Sequence, residues 1–343
     1  MILRALLHPL SWLYAGVMRL RNWLYDSGWL RVERCSLAVI SVGNLSLGGN
    51  AKTPLCVYLA QELRSRGFSP VVLSRGYKGK VRGVHLVLPK DDAARVGDEP
   101  RLIADVAQIP VVVAADRVAG ARMIERERLG DVIILDDGFQ HRRLARDLDI
   151  VSVSLSDADE EQRFLRGEVL PLGLFRESKD AALRRATAVV GVSRKFSSTP
   201  YCAQRLRQSL PGKVRFFGAQ VLPNRLESLD GVAAPKGGKI AAFCGIANPQ
   251  GFFGTLQAMG YELVWQRAYG DHYACTAAEL KKLLNQAQGL PLVCTEKDAV
   301  KLKHLAEPGA GIYVLGVEIR FDGTTDFMSF VTQLLRERAL RKV

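Results

Sequence analysis

The sequence predicts an α/β protein with a doubly wound parallel sheet, and three observations indicate it. Short apolar, β-branched runs alternate along the chain with amphipathic segments of helical spacing. One run, residues 37–42, leads into a glycine-rich segment that ends in a Lys-Thr pair. Another, residues 132–135, ends in an Asp-Asp-Gly turn. Strands of parallel sheets are buried on both faces, and open α/β sheets hold ligands at the carboxyl ends of their strands.

Helices are predicted between these runs. The first begins near Pro54, whose fixed φ suits a first helical turn, and has Leu55, Leu59 and Leu63 on one face. A second is predicted over residues 116–129. The remaining strands are predicted at residues 71–74, 84–88, 111–114, 150–153, 189–192, 239–245, 263–265, 292–295 and 312–315.

The chain has 343 residues, which allows about two domains with separate cores. Residues 194–238 are richer in Ser, Pro and Gly and show weak periodicity, so we place the boundary there. The predicted order is an N-terminal amphipathic helix in residues 1–30, a core domain in 31–210, a linker in 211–238, and a second, smaller α/β domain in 239–343.

The amino-acid composition limits the classes of binding partner that we expect. The chain has 48 Lys and Arg against 35 Asp and Glu, a formal net charge of +13, which favours nucleic acid, anionic membrane or phosphorylated substrates. The positive charge is spread along the chain without a basic stripe of interleaved aromatic residues, which argues against a nucleic-acid-binding module. The six cysteines show no C-x-x-C spacing and no metal-ligand cluster, which is typical of reduced thiols in the cytosol.

The first thirty residues are unusually aromatic and contain Trp12, Trp23 and Trp29. Apolar residues recur there at helical spacing: Leu6, Leu10, Leu13, Val17, Leu20 and Leu24. Such helices lie in the membrane interface with their aromatic rings at headgroup level. We expect Pro9 and Arg19 to break the apolar run, which leaves it too short to span a bilayer. The alternative is a helix that packs on the protein's own core.

The segment that follows the first strand has the character of a phosphate-binding loop, or P-loop. In such a loop the backbone N–H groups surround phosphate oxygens, the lysine binds the β/γ-phosphates and the threonine binds magnesium. The candidate nucleotide-binding residues are Ser46, Leu47, Gly48, Gly49, Asn50, Ala51, Lys52 and Thr53. The usual spacing has glycine at positions 46 and 51. We expect the loop to bind ATP nevertheless, because its other key residues are present and alanine can adopt a helical φ.

The Asp-Asp-Gly turn supplies the second half of a nucleotide site. In phosphoryl transfer, the loop Ser or Thr and an acidic residue on a neighbouring strand hold the magnesium ion. Thr53 and either Asp136 or Asp137 meet this need, and the sequence leaves the choice between the two aspartates open. ATP and Mg²⁺ are therefore the expected cofactors.

Further motifs follow one another along almost the whole chain. They are Ser41-Val42-Gly43-Asn44, Gly48-Gly49-Asn50-x-Lys52-Thr53-Pro54, Ser74-Arg75-Gly76-Tyr77, Gly97-Asp98-Glu99-Pro100, Asp136-Asp137-Gly138-Phe139-Gln140-His141, Leu170-Pro171-x-Gly173 with Arg176-Glu177, Asp271-His272 and Thr295-Glu296-Lys297-Asp298. In type and order they strongly resemble the tetraacyldisaccharide 4'-kinases of the lipid A pathway. The principal departure is Ala51, where the family loop usually has glycine.

The resemblance implies a membrane-associated P-loop kinase with two α/β domains. Such an enzyme phosphorylates the 4'-hydroxyl of a tetraacyldisaccharide 1-phosphate, a lipid A disaccharide, with ATP. It works at the cytoplasmic face of the bacterial inner membrane as a peripheral or monotopic protein. The expected partners are this lipid substrate and the membrane surface, with no nucleic acid and no obligate protein partner.

The resemblance also implies roles for individual residues. Asp98 would be the base for the sugar hydroxyl, with His272 paired to it, and Lys52 would stabilise the transferring phosphoryl group. Glu177 is a further candidate metal ligand. Weaker candidates for contacts with substrate or phosphate are Arg75, Tyr77, Arg117 and His141.

The alternative function is a soluble P-loop NTPase switch that acts on a protein partner. A switch would explain the loop and the acidic strand end equally well. It leaves the aromatic N-terminus unexplained, and for this reason the kinase is the preferred interpretation.

Overall fold

The computed structural model describes residues 2–48, 51–194, 203–234 and 236–340, without the side chains of residues 2–6 and 324–326. Its strands are β1 (Ala38–Gly43), β2 (Pro70–Ser74), β3 (Val84–Leu86), β4 (Val111–Ala114), β5 (Val132–Asp136), β6 (Leu148–Ser154), β7 (Ala188–Ser193), β8 (Arg215–Ser228), β9 (Gly238–Cys244), β10 (Tyr261–Ala268), β11 (Leu292–Thr295) and β12 (Ile312–Phe321).

Helices connect these strands along the chain. They are α1 (Ile2–Asp26), α2 (Lys52–Ser65), α3 (Ala93–Val96), α4 (Asp98–Ala107), α5 (Arg117–Arg126), α6 (Ala158–Arg166), α7 (Lys179–Leu183), α8 (Gln204–Ser209), α9 (Pro249–Ala258), α10 (Ala277–Ala287), α11 (Glu296–Leu302) and α12 (Thr324–Leu340). The apolar runs predicted to form strands do so, and the bounds of β4 and β11 agree with the prediction.

All of the named strands belong to one 12-stranded sheet. Its order is β10-β9-β11-β12-β8-β7-β6-β1-β5-β2-β4-β3. Neighbouring strands are parallel except for the pairs β3/β4 and β8/β12. The predicted α/β class with a doubly wound, mainly parallel sheet is confirmed. Strand β1 lies between β5 and β6, so the phosphate loop and the Asp-Asp turn follow adjacent strands.

Helices cover both faces of the sheet and supply its core. On one face, Leu55, Leu59 and Leu63 of α2 are completely buried, as the helical spacing predicted. They pack in one cluster with residues of α4 and α12, and α5 packs on the opposite face. Separate apolar clusters contain α9 and, on the other side, α10 with α11. Such burial on both faces is the reason that the strands are continuously apolar.

The span 211–238, where we expected a linker, contains strand β8. This strand lies between β9–β12 on one side and β1–β7 on the other, and we call these two groups of strands the two halves of the sheet. Strand β8 lies within the span 211–238 and pairs with β7 on one side and β12 on the other. Buried, half-buried and exposed residues are mixed along β8, which explains the weak periodicity of this span. Backbone hydrogen bonds to β7 and β12, and not a continuous apolar face, hold β8 in the sheet. The division into two domains stays a prediction.

Helix α1 runs without interruption through Pro9 and Arg19, which we expected to break its apolar run. Pro9 is the eighth residue of α1, beyond the first four whose N–H groups lack intrahelical partners, so it removes one helical hydrogen bond without ending the helix. Along the described residues, no helix combines the length and the apolar character needed to cross a membrane.

Helix α1 is attached to the rest of the protein through polar side chains. The Ser11 hydroxyl donates a hydrogen bond to the Val169 carbonyl oxygen at 2.8 Å, and the Tyr14 hydroxyl donates to that of Arg176 at 3.0 Å. The apolar stripe faces the other way: Trp12 is 72% exposed and Leu13 is 68% exposed. The orientation of α1 is therefore the reverse of that expected for a helix packed on the core.

Candidate active site

A cavity of about 1100 Å³ opens where carboxyl ends of strands from both halves of the sheet meet. Residues that follow β1, β2 and β5 line one side, and residues that follow β9 and β11 line the other. The predicted site residues in its wall are Leu47, Gly48, Ala51, Lys52, Thr53, Arg75, Tyr77, Asp136, Asp137 and His272. Gly49 and Asn50, also predicted for this loop, lie outside the described residues.

Ala51 occupies a left-handed backbone conformation, with φ +54° and ψ +27°, at the N-cap of α2. The expectation that it takes an ordinary helical φ is wrong. The loop must reverse direction before it enters α2, and Gly48 also has a positive φ, of +104°. A left-handed alanine costs roughly 1–2 kcal/mol, which glycine would avoid.

The Asn44 side chain holds the phosphate loop through hydrogen bonds. It is fully buried and its amide donates to the Ser46 carbonyl oxygen at 2.7 Å. The same side chain accepts a hydrogen bond from Lys52 Nζ at 3.3 Å. Asn44 closes the motif Ser41-Val42-Gly43-Asn44, and no role was predicted for it. A polar residue directly between a buried strand and a glycine-rich loop was the available signal.

Asp137 lies between two cations. Its carboxylate oxygens are 3.0 Å from Lys52 Nζ and 3.1 Å from a terminal guanidinium nitrogen of Arg176. Burial acts to raise the pKa of Asp137, but Lys52 and Arg176 outweigh it and lower the pKa below its ordinary value. Asp137 is therefore ionised at neutral pH, and Arg176 joins the candidate site as a residue to which the sequence analysis assigned no role.

Asp136 is more deeply buried and lacks such a pair of cations. Its Oδ2 atom accepts a hydrogen bond from the Ser74 hydroxyl at 2.8 Å. Burial, followed by the negative charge of Asp137, raises the pKa of Asp136. An under-compensated buried carboxylate of this kind favours a nearby cation.

The oxygen atoms of Thr53, Asp136 and Asp137 fit a magnesium ion by their chemistry. Mg²⁺ prefers oxygen ligands and is commonly bound by one or two carboxylates together with substrate phosphates. In the part of the chain that the structure describes, no group of three or more His, Cys, Asp or Glu side chains could hold a metal alone. The arrangement thus suits an ion that is bound together with a nucleotide.

Glu177 lies in a different environment. It is 1% exposed, and its carboxylate accepts hydrogen bonds from Arg185 at 3.0 and 3.1 Å and from the Asn22 amide at 2.9 Å. It is not in the cavity wall among the described residues. In this structure Glu177 connects α1 to the loop that carries Arg176, and its role as a metal ligand stays a prediction.

Asp98 and His272 form a pair across the two halves of the sheet. Asp98 Oδ2 lies 3.1 Å from His272 Nδ1, and each side chain is 13% exposed. Asp98 is the first residue of α4 and follows Gly97, which has φ +100° and no space for a Cβ beside the Tyr77 carbonyl oxygen. His272 itself has a left-handed backbone, with φ +63°. Strained positions of this kind persist where surrounding structure holds them.

Two further charged residues extend this pair. Lys297 Nζ lies 2.8 Å from Asp271 Oδ1 and 3.3 Å from His272 Nε2. Lys301 Nζ donates to Asp298 at 2.9 Å and lies 3.9 Å from Asp98 Oδ2. Lys297 and Asp298 belong to the motif Thr295-Glu296-Lys297-Asp298, and no role was predicted for either.

Glu99 also lines the cavity, although no role was predicted for it. Burial, followed by the charge of Asp136, raises its pKa to about 7. The motif Gly97-Asp98-Glu99-Pro100, which starts α4, therefore presents two carboxylates with different environments. One pairs with His272, and the other faces the aspartates that follow β5.

The structure does not bring all four weaker candidates to the cavity. Arg75 and Tyr77 are in its wall, and the Tyr77 ring packs edge-on against His272 with ring centroids 5.5 Å apart. Arg117 is buried and donates to the carbonyl oxygens of Ala114 and Ala115 at 3.2 Å. His141 is half-buried behind the site, and burial, followed by the charge of Arg117, lowers its pKa to about 4.

The chain is similar to known proteins of one family. The sequence profile of the tetraacyldisaccharide-1-P 4'-kinase family matches residues 3–336. The tetraacyldisaccharide 4'-kinase of Aeromonas hydrophila is 40% identical over 306 residues, which cover 88% of this chain and 85% of the relative. That of Shewanella piezotolerans is 34% identical over 339 residues, which cover 98% of this chain and 96% of the relative.

A solved structure is similar over almost its full length. The crystal structure of LpxK from Aquifex aeolicus in complex with ATP superposes with a TM-score of 0.78 at 30% identity. The match covers 97% of this chain and 99% of the Aquifex chain. The sequence profile, the curated relatives and the fold agree, and the chain belongs to the tetraacyldisaccharide-1-P 4'-kinase family.

Proposed function

We propose that this protein transfers the γ-phosphoryl group of ATP to the 4'-hydroxyl of a tetraacyldisaccharide 1-phosphate, in lipid A biosynthesis. The observation that carries the proposal is one cavity whose wall combines a phosphate loop, an aspartate pair and His272, which in turn contacts Asp98 at 3.1 Å. A P-loop switch needs only the first two features. A kinase for an alcohol also needs a base for the acceptor, and the third feature supplies it.

The phosphate loop binds ATP in this proposal. Backbone N–H groups at the start of α2 and the Lys52 ammonium face the phosphates, where Lys52 stabilises the charge on the transferring group. In the structure Lys52 pairs with Asp137, so nucleotide binding moves it from a carboxylate to a phosphate. Thr53 with Asp136 or Asp137 would hold Mg²⁺, and the ion would supply positive charge to neutralise the phosphate oxygens.

Asp98 accepts the proton of the sugar hydroxyl as the oxygen attacks phosphorus. His272 holds one carboxylate oxygen of Asp98, and the other oxygen remains for the acceptor hydroxyl. The two halves of the sheet, which we treat as a core domain and a smaller domain, each supply one member of this pair. Their approach around the substrates would exclude water and so limit hydrolysis of ATP.

The lipid substrate reaches the cavity from a membrane surface. Tyr14, Met18 and Arg21 of α1 line the cavity, and the opposite side of the same helix exposes Trp12 and Leu13. An interfacial helix with buried aromatic rings would place the cavity mouth at headgroup level. We therefore place the protein on the cytoplasmic face of the inner membrane as a peripheral protein that needs no protein partner.

The decisive experiment incubates the purified chain with ATP, Mg²⁺ and a tetraacyldisaccharide 1-phosphate, and locates the new phosphate by NMR spectroscopy of the product. Phosphorylation at the 4'-position is expected for the wild type, and Lys52→Met, as the matched control, should lose it. A folded wild type that leaves the lipid unchanged would contradict the proposal. Nucleotide-dependent binding of a protein partner in that case would favour the switch.

A further inference from the structure

Lys297 occupies a position between an acid and an imidazole. Its ammonium nitrogen is 2.8 Å from Asp271 Oδ1 and 3.3 Å from Nε2 of His272, while Nδ1 of the same ring faces Asp98 at 3.1 Å. The three side chains His272, Lys297 and Asp98 therefore form one chain of polar contacts. Lys297 and Asp98 lie at opposite ends of the imidazole ring.

The chemistry of these groups decides where the imidazole proton lies. A lysine ammonium has three donors and no acceptor, and an ionised aspartate is an acceptor only. Nε2 of His272 must therefore accept from Lys297 through its lone pair, and the ring proton must be on Nδ1, where it donates to Asp98. A proton on Nε2 would point at the ammonium group of Lys297.

We propose that Lys297 is a positioning residue that selects the Nδ1–H tautomer of His272 and thereby holds Asp98 for proton abstraction. The inference rests on the proposed kinase function and adds to it a residue without an assigned role. Lys297 acts through His272, and the proposal requires no contact between Lys297 and the reacting atoms.

The other charged groups near the ring make this control necessary. Asp271 Oδ2 lies 3.8 Å from Nε2 and would attract an Nε2–H group if Lys297 were absent. Lys301 lies 3.9 Å from Asp98 Oδ2, and Tyr77 meets the ring only through its edge. Without Lys297 the ring has carboxylates on both sides. The Nε2–H tautomer would then compete with the Nδ1–H tautomer, and it turns an Nδ1 lone pair towards Asp98.

The backbone keeps Lys297 and His272 in register. Lys297 lies in the first turn of α11, and the Asp298 carboxylate beside it accepts from the Gly245 N–H at 3.0 Å. The Gly245 carbonyl oxygen in turn accepts from the His272 N–H at 3.2 Å. Gly245 thus joins the turn that carries His272 to the helix that carries Lys297, which limits the freedom of both side chains.

The test measures the tautomer and the kinetics separately. Imidazole ¹⁵N chemical shifts distinguish Nδ1–H from Nε2–H, and His272→Gln identifies the His272 signals by difference in the nucleotide-free protein. The wild type should show the Nδ1–H form, Lys297→Met should shift the population towards Nε2–H, and Lys297→Arg, which keeps a donor-only cation, should restore Nδ1–H.

The kinetic readout uses the same variants with ATP and the lipid acceptor. Lys297→Met should lower kcat by about tenfold to a hundredfold and change the KM for ATP by less than about twofold. A misplaced Asp98 slows proton abstraction but leaves nucleotide binding unchanged. Lys303→Met is the matched control. Lys303 pairs with Asp105 at 2.8 Å across the same α4–α11 interface but does not contact His272, and its kcat should stay at the wild-type level.

An unchanged His272 tautomer in Lys297→Met would overturn the inference. If the affinity for ATP is also weaker in that variant, Lys297 contacts the phosphates directly. If Lys297→Met does not fold, Lys297→Gln replaces it, because its amide oxygen can accept from Nε2–H and should shift the ring towards that tautomer; an unchanged Nδ1–H form in this variant would overturn the inference. The NMR measurement requires no activity, so it remains interpretable even if the wild type does not phosphorylate the lipid.

Discussion

Nδ1 of His272 lies 3.1 Å from Oδ2 of Asp98, although the two residues are 174 positions apart in the chain. Helix α4, which begins at Asp98, also packs against α11, and Lys303 directly after α11 forms an ion pair with Asp105 of α4 at 2.8 Å. The base proposed for the acceptor hydroxyl is therefore held by the opposite half of the sheet. Both halves must be in place for it to work.

Asp98→Asn should abolish most of the turnover while ATP still binds. The amide cannot accept the hydroxyl proton, and loss of a general base typically lowers the rate by about 10²–10⁴-fold. We expect the affinity for ATP, measured by calorimetry, to stay within about threefold of the wild type. A near-normal kcat in Asp98→Asn would remove Asp98 as the base.

The pair should also act as a unit. In a double-mutant cycle, His272→Gln should lower kcat in the wild-type background and have much less effect in the Asp98→Asn background, because its partner no longer functions. The readout is the coupling between the two substitutions in kcat/KM. Fully additive losses would mean that His272 and Asp98 contribute separately, in spite of their contact.

Ala51→Gly should change the affinity for ATP by less than about threefold, because Ala51 already has the left-handed backbone that glycine would adopt. Relief of roughly 1–2 kcal/mol of strain is opposed by the loss of a buried methyl group, about 0.8 kcal/mol, and by about 0.5–1 kcal/mol of glycine entropy. The unfolding free energy in urea should change by less than about 1 kcal/mol. Tenfold tighter binding of ATP would show instead that the methyl group obstructs the phosphates.

Ala51→Val is the companion variant at this position. A β-branched residue is strongly disfavoured at a positive φ, so this change should lower the unfolding free energy by at least about 1 kcal/mol. Urea titration of the three proteins gives the comparison. A valine variant as stable as the wild type would mean that the loop abandons the left-handed conformation without cost.

Replacing the exposed apolar face of α1 should weaken membrane binding without unfolding the protein. Trp12, Leu13 and Trp23 are 72%, 68% and 56% exposed, so their change to serine removes little packing within the protein. We expect the partition coefficient onto anionic phospholipid vesicles to fall at least about tenfold, because less apolar surface enters the interface. Flotation assays with each protein measure it.

Val264→Ser is the control for this face. Val264 is 53% exposed on β10, away from α1, and its change should leave vesicle binding unaltered. Circular dichroism should show the wild-type helix content in all of the variants. Equal partitioning of the wild type and the triple serine variant would refute membrane contact by this face.

His141 should make stability depend on pH in the mildly acidic range. Its pKa in the folded protein is about 4, whereas an unfolded histidine titrates near about 6.5. Between these values the unfolded chain binds more protons, so the unfolding free energy should fall as the pH decreases from about 6.5 towards 4. We expect His141 to contribute about 1–2 kcal/mol to this loss, since the half-buried ring is partly screened by solvent.

The measurement is urea unfolding of the wild type and His141→Asn at several pH values. The asparagine variant should lose less stability on acidification. His304→Asn, which changes an exposed histidine, should retain the wild-type slope. Identical slopes for the wild type and His141→Asn would show that His141 does not titrate abnormally.

Local patterns were sufficient to locate the residues of the proposed donor side of the candidate site. Lys52, Thr53, Asp136 and Asp137 could be placed from the sequence, because a glycine-rich turn and an acidic turn each follow a buried strand. In a parallel sheet such strand ends share one edge, and β1 and β5 are neighbours as this reasoning requires. The class of the fold followed from the same alternation of strands and helices.

Other features could not be read from local patterns. Strand β8 has no apolar periodicity, and only its pairing with β7 and β12 makes it a strand. The left-handed φ of Ala51 depends on how the loop enters α2, which no property of alanine indicates. In the sequence, Arg176 and Lys297 cannot be distinguished from ordinary surface charges. Only the fold shows that Arg176 lies 3.1 Å from Asp137 and Lys297 lies 3.3 Å from His272.

The sequence by itself therefore determined the α/β class, the phosphate loop and the aspartates after β5, because each depends on residues that are adjacent in the chain. The resemblance to a kinase family suggested that Asp98 and His272 act together. Only the tertiary structure decided their contact, the polar attachment of α1 and the place of Lys297. These features depend on the distance between residues that are remote in sequence, and that distance is set by how helices and strands pack.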